Sequence, residues 1–156
     1  MLSVSCKNAP IFESIAAELH SKKPSAKSAY YLATYNLNTA KQDKAIEFFS
    51  ESVKLESDRM TKATTAYTIA SILSTTDKGK SKEMVLTAIE NNPVNGRYYI
   101  FLGNLYANAV TECGTSDLEK NAIYKLASDT VLKAVLVEPR LKGTAEELSK
   151  SYLQKT

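Results

Sequence analysis

The chain has 156 residues, of which 44% are apolar and 24% charged, and its formal charge is +3. That length carries one continuous core, and that composition excludes a disordered chain. Twenty basic against 17 acidic residues is too even for a nucleic-acid-binding stripe, and two cysteines with one histidine supply neither a disulfide framework nor a metal site.

At the start, Leu2-Ser3-Val4-Ser5-Cys6 has the small residues that precede a lipidated cysteine in a bacterial lipoprotein signal. The apolar run that such a signal needs is missing. Residues 1–10 are therefore read as an N-terminal segment with an ordinary Cys6. The alternative is a cell-envelope lipoprotein fragment, periplasmic or membrane-anchored through Cys6, with a structural role. As written, the chain is expected to be cytoplasmic. No stretch reaches the ~18 apolar residues that span a bilayer.

Gly and Pro are scarce, at five and four copies, which favours long helices joined by short links. The periodicity predicts about eight: 11–21, 25–38, 42–56, 59–75, 79–91, 95–111, 116–137 and 143–154. Pro24, Pro93 and Pro139 each follow such a segment, and Ser57 takes the same place after a fourth. Proline stops a helix because it has no amide donor and restricts the residue before it.

Reading back from each stop gives the same spacing, i, i+4, i+7. The sets are Phe12, Ala16, Leu19; Ala45, Phe49, Ser52; Ser81, Val85, Ala88; and Ala127, Val131, Ala134. Each set shares one helical face. A second pattern precedes three of them. Tyr99, Leu102, Gly103 and Tyr106 fall at i, i+3, i+4, i+7, and Leu32-Ala33 and Ile69-Ala70 take the place of Leu102-Gly103. A small residue there lets a neighbouring helix approach closely.

These units resemble the tetratricopeptide repeat. Residues 44–56 are similar to its second helix, and Tyr99 to Tyr106 to its first, with Tyr99 in the aromatic slot. The resemblance implies an all-α fold, an α-α superhelix of tandem antiparallel helix pairs. The expected divisions are a half repeat at 11–24, repeats at 25–57, 58–93 and 94–139, and a capping helix at 143–154, all in one domain over 11–156. The second repeat lacks the aromatic and has Ser81 where Ala is usual. The third carries an insertion between Tyr106 and Ala127, expected to lengthen both of its helices. Gly114 marks its turn, and Ser116 with Glu119 forms a capping box. The half repeat at the start suggests a piece of a longer array, or a first helix that docks elsewhere.

The resemblance also implies function: a non-catalytic scaffold that holds a peptide or helix of a partner protein in a groove lined by first helices. Carried over position by position, the groove residues are Tyr30, Thr34 and Asn38; Thr64, Tyr67 and Ser71; and Arg97, Ile100, Asn104 and Asn108. Some members of the family clamp the acidic tail of heat-shock chaperones with Lys and Asn. Tyr30 and Thr34 stand where that clamp begins and only Arg97 is compatible, so chaperone-tail binding is not expected.

No cofactor, metal, nucleic acid or small-molecule substrate is expected, and no enzyme. His20 reads as a surface or edge histidine, far along the chain from Cys113. Gly79-Lys80-Ser81 has the end of a phosphate loop without its earlier glycine or its strand. Lys22, Lys23 and Lys27, and likewise Lys78, Lys80 and Lys82, read as solvated loop faces.

Overall fold

The computed structural model describes residues 10–156. Cys6 and the segment around it lie outside the described residues, as does the Phe12 side chain. Among the described residues, nine α-helices follow in order: α1 (Pro10–Lys22), α2 (Ala26–Asn38), α3 (Gln42–Leu55), α4 (Arg59–Leu73), α5 (Lys78–Asn91), α6 (Gly96–Asn108), α7 (Val110–Cys113), α8 (Asp117–Val137) and α9 (Lys142–Leu153), with a 3₁₀ turn at Pro139–Leu141. There is no strand among the described residues. The expected bounds hold to within two residues, apart from the end of α6.

The chain divides within α4 into two compact units, the first ending at Ile69 and the second spanning Ala70–Thr156. The repeat pattern alone reads as one domain.

In the first unit α3 packs along α2, and α1 packs on α2. Leu32 and Ala33 of α2 are buried, as are Ala45, Phe49 and Ser52 of α3. The Ser52 hydroxyl donates to the Ala26 carbonyl at 2.9 Å, so a small polar residue sits at the contact without an unmet group. α2 begins at a capping box, in which Ser25 and Ser28 exchange side-chain and amide contacts. It ends without the glycine usual at such a stop. Ala40 takes the left-handed conformation at φ 59°. The Lys41 amide then reaches the Asn36 carbonyl at 2.8 Å, and the Ala40 amide reaches Leu37 at 3.2 Å. Those two bonds close the helix end at a conformational cost of about 1–2 kcal/mol for a non-glycine residue.

The periodic set on α1 behaves differently. Ala16 is half-buried, but Leu19 is 59% exposed. Ile11 and Ile15 are exposed with it, forming one aliphatic row.

In the second unit α6 and α8 make the most extensive pairing, α9 covers α8, and α5 packs on α6. Ser81, Val85 and Ala88 are wholly buried, and so are Ala127, Val131 and Ala134. Ser81, the departure from Ala, donates its hydroxyl to the Ala70 carbonyl at 2.7 Å. That carbonyl lies in the last turn of α4, where the helix itself supplies no donor. On α9, Ala145, Ser149 and Tyr152 are buried, and the Ser149 and Ser128 hydroxyls pair at 2.8 Å.

One expectation for the third repeat needs correcting. The insertion lengthens only the second helix, α8, to 21 residues, while α6 stops after 13. At Ala109 the bonding tightens: its amide reaches Tyr106 at 3.0 Å, and the Cys113 amide reaches back to Ala109 at 2.9 Å. The chain turns into the short α7 and then into Gly114. Lys78 stabilises the break by donating to the freed Asn108 carbonyl at 3.0 Å. Lys78, Lys80 and Lys82 therefore belong to the first turns of α5 rather than to a loop, and Lys78 also pairs with Glu112.

The capping box at the start of α8 forms as expected, Ser116 with Glu119. The Thr115 hydroxyl, and then the Ser116 and Thr115 amides, hold the Glu119 carboxyl at about 2, against an ordinary 4.5. A carboxyl depressed on folding stabilises the fold above its unfolded value and loses that contribution as pH falls toward the folded one. Stability carried by Glu119 is thus full above 4.5 and lost on descending toward 2. Glu119→Gln should flatten that part of the pH–stability curve in acid titrations followed by circular dichroism. An unchanged acid limb would remove the box from the account.

Candidate functional site

Tyr30 projects from α2, is 40% exposed, and sets its ring edge-on to Phe49, with centroids 5.5 Å apart. It forms one wall of a cleft of about 340 Å³ in the first unit. Tyr31, Lys27, Glu56 and Thr61 complete the open sides, over a floor of Ala26 and Ser52. Tyr31 was not among the residues expected from sequence. Its ring is 39% exposed and lies under the Lys27 ammonium at 5.9 Å. The cleft thus offers two aromatic faces, one cation and one carboxylate, a mixture suited to an amphipathic peptide.

The other expected residues stand on three helices. Thr34 is half-buried and Asn38 exposed, one and two turns beyond Tyr30 on α2. On α4, Thr64 and Ser71 are exposed and Tyr67 is half-buried. Thr34 and Thr64 donate to the carbonyls of Tyr30 and Met60, both at 2.9 Å, which leaves their oxygens as acceptors. On α6, Arg97 and Asn108 are exposed and Ile100 half-buried. Asn104 accepts from the Tyr152 hydroxyl, so its side chain is tied to α9. Burial raises the Tyr152 phenol, keeping it a neutral donor. No sequence spacing signals that contact, because it joins residues 48 apart.

Of the two readings, surface or edge, His20 takes the edge, with its side chain 12% exposed. It joins three helices of the first unit. Nδ1 lies 2.8 Å from the Ser28 hydroxyl and Nε2 lies 3.1 Å from a Glu51 carboxylate oxygen, while the ring meets Phe48 edge-on at 5.9 Å. Serine, histidine and glutamate are the parts of a nucleophilic triad. Here Ser28 is buried and its oxygen also accepts from the Ser25 amide at 3.1 Å within the cap of α2. The arrangement does the work of a tie between α1, α2 and α3. No group of three potential metal ligands forms among the described residues, and none of their helices is long and apolar enough to cross a membrane.

No protein-family model matches the sequence, and no curated protein matches it. Among solved structures, the chain is similar to a crystal structure of MamA, with a TM-score of 0.59 and 17% identity over 99% of this chain and 93% of that one. The likeness covers nearly all of both chains and shows the fold. It is all-α, built of tandem tetratricopeptide-like antiparallel helix pairs of the α-α superhelix class.

Proposed function

We propose that this protein is a non-catalytic interaction scaffold that holds a peptide or helix of a partner protein against the outward faces of its first helices. A fold of this type is typically a scaffold, and its partners are typically proteins. The observation that carries the reading is the division of α2 into two faces. Leu32 and Ala33 are buried, while Tyr30, 40% exposed, lines an open cleft. A large aromatic left half-exposed beside a cleft is surface that partner binding can cover.

The test is a peptide library panned on the intact chain, followed by titration of the selected peptides. Tyr30→Ala and, separately, Lys27→Glu should each weaken them about tenfold, the size of a modest hot-spot loss. Thermal melts check that each variant is folded. Lys27 is exposed on α2, so its replacement leaves the helix pair intact. Selected peptides that bind both variants as tightly as the parent chain would remove the cleft from the function.

A further inference from the structure

A second cavity, in the second unit, shares no residue with the expected groove. It measures about 330 Å³ and lies between the first turns of α5, the end of α6, α7 and the early turns of α8. Leu105, Ala109, Ile123 and Leu126 supply its apolar surface, and Lys78, Lys82 and Glu112 its charges. Its size falls in the range of small-ligand sites.

We propose that this cavity binds a small amphiphilic monocarboxylate, with the hydrocarbon body on the apolar surface and the carboxylate at Lys82. Three observations carry the inference. First, the insertion that an ordinary repeat lacks builds much of the site, contributing Ala109, Glu112, Cys113, Ile123 and Leu126. Were the insertion only packing material, its two leucines would be covered, yet Leu118 is 80% and Leu126 48% exposed, and Leu126 lines the cavity. Second, the charges do not cancel. Lys78 is paired with Glu112 and bonded to the Asn108 carbonyl, whereas Lys82 meets only the face of Tyr106, 6.0 Å from its ammonium. One cation at the rim is left for an anion, and the positive end of the α5 dipole lies beside it. Asp77 caps that end through the Lys80 amide and does not line the cavity. Third, the lining covers little more than one turn of α5 and one of α8, which suits a small molecule better than a partner helix.

Cys113 lines the same cavity and is an exposed free thiol, so it reports occupancy. The experiment uses the full chain carrying Cys6→Ser, which leaves Cys113 as its single thiol. The rate of alkylation by neutral iodoacetamide is followed against octanoate, with octanol as the uncharged comparison. Octanoate should slow alkylation in a saturable way, at lower concentration than octanol. Lys82→Met should raise the half-saturating octanoate concentration about tenfold and leave octanol unchanged. Leu126→Glu, at an exposed position, should weaken both. Alkylation indifferent to octanoate, or octanoate protection unaltered by Lys82→Met, would overturn the proposal. Circular dichroism of each variant separates lost binding from lost structure.

Discussion

Phe49→Ala is expected to destabilise the first unit by about 3–5 kcal/mol, the range for deleting a buried aromatic. Phe49 is 2% exposed and sits at the centre of the set Ala45, Phe49 and Ser52. Its neighbours in that set are already small, so they cannot fill the space that its ring leaves. The edge-on contact with Tyr30 is lost as well, and such pairs add about 0.5–1.5 kcal/mol beyond the area buried. Urea denaturation should show a lower midpoint, and hydrogen exchange should place the loosening in α2 and α3. A loss below about 1 kcal/mol, the level of an ordinary surface change, would show that the α2–α3 pair does not depend on this ring. The substitution also tests a link between core and function. Because Phe49 backs Tyr30, its removal should weaken peptides held at the cleft even where the chain stays folded.

What could be read in the sequence was whatever repeats. The sets around Phe49, Val85 and Val131 recur with one spacing because each buries the same face against a first helix, and all three are buried. Ser116 and Glu119 could be read because a capping box is local, made by residues three apart. Features joining distant residues were not legible. The tie of His20 to Ser28 and Glu51 spans 8 and 31 positions, and a lone histidine on a helix looks the same whether it faces water or two partners. The break at Ala109 also escaped, because neither proline nor glycine marks it. The turn depends on Lys78, from another helix, taking the Asn108 carbonyl. Of the candidate groove positions, Tyr30, Asn38, Thr64, Ser71, Arg97 and Asn108 are exposed. Tyr31 was hidden by its neighbour, since adjacent residues on a helix point about 100° apart and a motif admits only one of them. Asn104 lies on α6, and its engagement with Tyr152 follows from how α9 lies over α8, which no repeat position encodes.

Gly103 is the position where sequence and structure agree most closely, and it carries the second large prediction. A Cβ added there would lie 2.4 Å from the Val131 Cγ1 and 2.9 Å from the Ala127 carbonyl oxygen. The first could be relieved by a rotamer change, but the second is backbone, so α8 itself must move away from α6. Overpacking of this kind costs about 1–3 kcal/mol, and the backbone contact puts Gly103→Ala at the upper end. Against it stands the helix preference for Ala over Gly, about 1 kcal/mol. The clash wins, and a net loss of about 2 kcal/mol is expected. Gly143→Ala is the internal control. It is also a helical glycine, in the first turn of α9, but nothing lies within 4 Å of its added Cβ. There the preference acts alone, and the substitution should stabilise by up to about 1 kcal/mol. Thermal melts of the two variants should move in opposite directions. If both rise, the close approach of α6 and α8 does not limit stability, and the small residue at this repeat position is not there for packing.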